Sequence, residues 1–193
     1  MSQPSEAVYL AQPASGEGAG VLVLHAWWGL NDFFKALCRR LAGAGFVALA
    51  PDLYHGRTAA TVDEAKFLRS KMNRTQAALE ILAAAERLQA MTVRPIGVIG
   101  FSLGAYLALG LAADQPALIK AVTVFYGTRQ LDYARSQAAF QGHFAENDAW
   151  EPALSVKNLE KRLRKAGRPA EFFTYPGTGH WFFESDRPDA YQP

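Results

Sequence analysis

Residues 96–105, Ile96-Gly97-Val98-Ile99-Gly100-Phe101-Ser102-Leu103-Gly104-Ala105, decide how this chain folds. An apolar run ends in a G-x-S-x-G pentapeptide, and a helical pattern rich in Ala and Leu follows over 103–113. A strand that turns this sharply into a helix holds its serine in a strained backbone conformation, so small residues must stand two before and two after it. Gly100 and Gly104 meet that demand. Ser102 therefore reads as a nucleophile at the carboxyl end of a buried strand; a chance tight turn is the bland alternative, and the strand-and-helix context weighs against it.

Working outward, short β-type runs alternate with longer helical patterns. Strands are expected over 21–24, 46–50, 96–99, 121–126, 140–144 and 171–175, and helices over 32–44, 75–91, 103–113 and 153–166. This alternation predicts parallel strands joined by crossover helices, and the continuous apolar runs predict a sheet covered on both faces. The expected architecture is α/β: a three-layer α/β/α sandwich around a mostly parallel sheet. Asn31 or Asp32 can cap the helix that follows, and Gly45 and Gly167 sit where helix C-terminal glycines belong. Residues 14–20 read as a surface turn between two early strands.

At 193 residues and 50% apolar, the chain has enough material for one core, and one domain over 1–193 is expected. The net charge of +2 comes from scattered basic residues, so neither DNA nor RNA is an expected partner. A lone cysteine, Cys38, excludes an intrachain disulfide, and its place inside a helical pattern predicts a buried, inert thiol. No leader pattern and no long apolar stretch occur in the sequence, which reads as cytoplasmic with no membrane partner. No Cys/His spacing suggests zinc and no glycine-rich phosphate loop opens a helix, so neither metal nor cofactor is expected.

Serine needs a base, and the base needs a third group to orient it. Of the four histidines, His180 lies in a turn-rich loop just after the last strand, where the order serine, acid, histidine places the base. His25 and His55 follow earlier strands and are positioned to line the site, and His143, within a strand, reads as structural. The acid must fall between Ser102 and His180; Asp114, Asp132, Glu146, Asp148 and Glu151 qualify by order. Asp148 is preferred, because a short side chain after Asn147 suits a turn that aims a carboxylate inward, and Glu146 is the fallback. Leu103 supplies one oxyanion-hole N–H, and the second is expected from the loop 25–29. Trp28, Trp181 and Phe182 flank these loops and are the expected walls of an apolar substrate pocket, although each ring taken singly reads more readily as core, adjacent Trp27-Trp28 beside a strand-end loop excepted.

The segments HAWWGLN (25–31), GFVALAPDLYHGR (45–57), GFSLGA (100–105), HFAENDAWEP (143–152) and YPGTGHWFF (175–183) together resemble the dienelactone hydrolase family across nearly the whole chain. The resemblance implies the α/β-hydrolase fold, with Ser102 as nucleophile, Asp148 as acid, His180 as base, and the backbone N–H groups of Trp27 and Leu103 as oxyanion hole. It also exposes departures. Ser102 replaces the family's cysteine, Ala105 replaces a glycine, and Ala26 stands where a glutamate is usual. Glu184 stands where an arginine typically holds the dienelactone carboxylate, and a negative side chain there is expected to repel an anionic substrate. Family members continue into a C-terminal helix after a segment like RPDAY (187–191), whereas 187–193 read as a loop. The resulting expectation is a serine hydrolase cleaving a small ester-type substrate through an acyl-enzyme. A thioesterase or lactonase with the same triad, or a non-catalytic ligand-binding module on the same scaffold, are the rivals. Oligomeric state is left open by the sequence.

Overall fold

The computed structural model describes residues 8–92 and 94–192. The elements run β1 (Val8–Ala11), β2 (Ala19–Leu24), α1 (Asp32–Gly43), β3 (Phe46–Pro51), α2 (Val62–Lys71), α3 (Arg74–Thr92), β4 (Ile96–Phe101), α4 (Leu103–Asp114), β5 (Ile119–Phe125), β6 (Ala139–Ala145), α5 (Ala153–Lys165) and β7 (Ala170–Tyr175). The strands form one sheet in the order β1-β3-β2-β4-β5-β6-β7, parallel except for β1, which lies antiparallel on β3.

Side chains on β2 alternate between two cores, and this is why its sequence reads as continuously apolar. Leu22 and Leu24 join Val98, Leu88 and Leu109 beneath α3 and α4, and α5 adds Leu159 and Leu163 to the same layer. Val21 and Val23 join Phe34, Leu37 and Cys38 of α1 on the opposite face. Each fully buried Leu or Val contributes about 1.5–3 kcal/mol. The sheet is thereby held between helices, as the strand-helix alternation requires. Among the described residues no helix is long and apolar enough to cross a membrane.

The strand order reverses direction at β2: β3 lies on one side of it and β4 on the other. Loops leaving the carboxyl ends of β2 and β4 part there and leave a crevice, which is where open α/β sheets take their ligands. Asn31 caps α1 by accepting from the Phe34 N–H, and also donates from Nδ2 to Asp186 at 2.7 Å, pinning the C-terminal segment to that helix.

β1, the earlier of the two strands expected around residues 14–20, is a four-residue edge strand, and α2 escapes the sequence pattern. α2 buries only Ala65 and Leu68, too few for an apolar period to register; its signal is the capping box, in which Thr61 accepts from the Glu64 N–H and the Glu64 carboxylate accepts from the Thr61 N–H. Residues 187–190 form turns.

Candidate active site

Ser102 sits between β4 and α4 with φ 50° and ψ −108°, a left-handed conformation that costs a non-glycine residue on the order of 1–3 kcal/mol. The surroundings dictate it. A Cβ at residue 100 would come within 2.3 Å of the Gly104 carbonyl oxygen, and one at residue 104 within 2.1 Å of the Leu24 carbonyl oxygen. Both glycines are therefore steric requirements of the turn. The Ser102 N–H donates to the Phe125 carbonyl at 3.0 Å, which ties the turn to β5.

The loops after β6 and β7 bring the other two groups. His180 Nε2 lies 2.9 Å from Ser102 Oγ, and its Nδ1 lies 2.7 Å and 2.9 Å from the two carboxylate oxygens of Asp148. Both side chains are almost fully buried. Asp148 Oδ1 also accepts from the backbone N–H groups of Trp150 and Glu151, each at 2.8 Å, so the carboxylate is fixed from its own loop before it meets the imidazole. Glu146, the other acid near that strand end, instead accepts from the Gly177 N–H at 2.9 Å. It binds the two loops together and does not reach the imidazole.

The loop after β2 is held by His25, which is fully buried and does not line the site. The Leu53 N–H donates to its Nε2 at 3.3 Å, so the ring proton resides on Nδ1, which donates to the Ala26 carbonyl at 2.6 Å. Burial lowers its pKa and keeps the ring neutral. The Ala26 carbonyl and the Trp27 N–H share one peptide plane, so fixing the first orients the second. Leu103, the first residue of α4, has an N–H with no intrahelical acceptor.

These groups open onto a cavity of about 1030 Å³, lined among others by Trp27, Ser102, Leu103, Trp150, His180 and Trp181. Trp150 and Trp181 stand 5.0 Å and 5.9 Å from Trp27, ring centre to ring centre. The indole N–H groups of Trp27 and Trp181 have no partner among the described residues. Of the rings expected on this wall, Trp181 is there, but Trp28 and Phe182 are not. Trp28 lies under the Arg187 guanidinium at 3.8 Å, and Phe182 packs against Tyr126 and Tyr175 in the core behind the site. Trp150, absent from the sequence expectation, takes a place on the wall because the Asp148 turn projects it there.

Glu184 also departs from expectation. It is fully buried, accepts from the Tyr126 hydroxyl at 2.7 Å, and leaves Oε2 without a partner. Burial pushes its carboxyl up to about 8, so at neutral pH it is mostly an uncharged acid. It faces the core behind Tyr126, whose ring lies 4.9 Å from His180, and does not present a negative charge to a substrate. His55 is exposed and pairs with Glu80 at 3.1 Å. His143 is stacked between Phe125 and Phe173, and the buried Cys38 thiol is pushed up to about 12.

A family model described as the dienelactone hydrolase family matches residues 7–193. Protein usf of Aquifex pyrophilus is 34% identical over 96% of this chain and 85% of its own length. An Aquifex aeolicus protein provisionally named a carboxymethylenebutenolidase is 32% identical over the same shares. A crystal structure provisionally titled a dienelactone hydrolase from Klebsiella pneumoniae superposes with a TM-score of 0.83 at 25% identity, covering 96% of this chain and 85% of that one.

Proposed function

The chain belongs to the dienelactone hydrolase family, and from that premise we propose that it is a carboxylic-ester hydrolase working through a serine acyl-enzyme. The observation that carries the reading is the unbroken chain Asp148, His180, Ser102, with 2.7 Å and 2.9 Å links. Ser102 Oγ attacks the ester carbonyl carbon while His180 Nε2 takes its proton. Asp148 holds the proton on Nδ1 and stabilises the imidazolium. The Trp27 and Leu103 N–H groups receive the oxyanion, each such donor being worth about 2.7–4 kcal/mol in the transition state. Collapse of the tetrahedral intermediate expels the alcohol, which takes the proton back from His180. Water then repeats the attack on the acyl-enzyme, releasing the carboxylic acid and restoring Ser102.

A single domain hosts all of these steps, and the reaction as written draws on no cofactor. The test is hydrolysis of short p-nitrophenyl acyl esters by the wild type and by Ser102→Ala, with folding of both checked by circular dichroism. Turnover that vanishes in Ser102→Ala is the expected result. Turnover that survives the substitution would sink the serine mechanism, and a matching series of lactones and thioesters would rank the three bond types.

A further inference from the structure

The cavity that holds Ser102 continues along α4 well beyond the space a two-carbon acyl group needs. On its wall stands Arg129, from the segment between β5 and β6. Its guanidinium carbon lies 4.4 Å from the centre of the Tyr106 ring, and a Cβ at residue 110 would meet its Nη1 at 1.8 Å. The side chain is thus laid on an aromatic face and seated in a notch that exists because residue 110 is glycine. Ser102, Tyr106 and Gly110 follow one another at four-residue spacing on one stripe of the helix, so the guanidinium sits roughly 6 to 12 Å along the axis from the nucleophile.

No carboxylate pairs with Arg129 among the described residues. Two acids share the cavity and neither answers it. Glu151 is turned to the Thr128 N–H and hydroxyl, at 2.8 Å and 2.9 Å. Asp114 lies one helical turn beyond Gly110, about 6 Å of rise, and forms no ion pair with Arg129. Arg69 of α2 and Arg74 of α3 line the same cavity, also without an ion pair among the described residues, so basic groups outnumber acids in its lining. Apolar side chains form much of the lining, with Leu103 and Leu107 on α4 and Ala78 and Leu82 on α3. A guanidinium held over an aromatic ring, half-buried and free of any carboxylate ion pair is a preorganised oxyanion receptor.

We propose that Arg129 sets specificity by receiving an anionic terminus, carboxylate or phosphate, at the far end of an acyl chain that runs from Ser102 along α4. The spacing fits roughly five to nine bonds between the scissile carbonyl and the anion. This rests on the hydrolase reading above, and the experiment separates the two. The mono-p-nitrophenyl esters of adipic and suberic acid are compared by kcat/KM with the neutral hexanoate and octanoate, in the wild type, Arg129→Gln and Arg129→Lys. The wild type should favour the acid-terminated ester by about tenfold or more, through KM, and the preference should collapse toward unity in Arg129→Gln and partly persist in Arg129→Lys. A 6-phosphonohexanoate ester distinguishes the two termini by which gives the larger preference. Equal rates on acid-terminated and neutral esters, or a preference untouched by Arg129→Gln, would overturn the proposal while leaving the esterase reading intact. If no ester is turned over, calorimetric titration with adipate and suberate still decides: about tenfold weaker binding by Arg129→Gln supports it, and unchanged or absent binding refutes it.

Discussion

Replacing Glu184 with glutamine tests the description of the buried acid behind Tyr126 and His180. In the folded protein burial raises this carboxyl from an ordinary value near 4.5 to about 8, and in the unfolded chain it returns to the ordinary value. Between those limits the folded state holds a proton that the unfolded state has released. Unfolding therefore becomes easier as pH rises through the window, and the loss levels off above the folded value. Glutamine keeps the acceptor for the Tyr126 hydroxyl and carries no titration. Whatever Glu184→Gln does to stability at pH 5, its standing against the wild type should improve by about 3 kcal/mol by pH 7.5. Because the comparison is a difference between two pH values, the unpaired amide hydrogens of the new side chain cancel from it. Urea unfolding of both proteins across that range, followed by circular dichroism, measures the swing. Parallel stability curves would mean that Glu184 is ionised in the fold, and the account of its burial would fall.

Three further substitutions probe the turn at Ser102, the proposed triad and a helix start. Gly104→Ala drives a Cβ onto the Leu24 carbonyl, backbone against backbone, and should cost about 3 kcal/mol or more, read as a lowered Tm or loss of soluble protein. Asp148→Asn should leave the fold intact and lower kcat by roughly four orders of magnitude by disturbing the imidazole tautomer; a loss under tenfold in p-nitrophenyl ester turnover would argue against the assigned role. Asn31→Ala removes both the cap on the Phe34 N–H and the bond to Asp186, and should destabilise by about 1–2 kcal/mol in urea, with no change expected if the cap is fully replaced by water.

The strand that ends at Ser102 and its neighbour β2 are legible in the sequence because both sheet faces are covered, which buries Gly20 to Leu24 of β2 without a break and leaves no residue of β4 exposed. The glycines at 100 and 104 are legible for a related reason: backbone contact leaves no other residue type available. The order of Ser102, Asp148 and His180 can be read because each follows a strand end. What cannot be read locally is the direction a side chain takes once its loop has closed. Trp27 and Trp28 are neighbours, yet one lines the cavity and the other lies beneath Arg187. Glu184 looks like a substrate-facing charge until Tyr126, 58 positions away in sequence, is found beside it. Arg129 gives no signal in the sequence because the notch that seats it belongs to a different element.

Asp148 and His180 arrive on the loops of one strand pair, β6 and β7, and those loops are stitched by the Asn147 N–H to the Thr178 carbonyl and the Glu146 N–H to the Tyr175 carbonyl. β7 is the outer strand of the pair and contains no fully buried residue. Local opening free energies are lowest where buried apolar contact is least, so this margin of the sheet should open before the β2–β4 centre does. Catalytic competence then has a ceiling set by the edge and not by the core: in rising denaturant, amide exchange in β7 and loss of turnover should share one free energy, smaller than that of global unfolding.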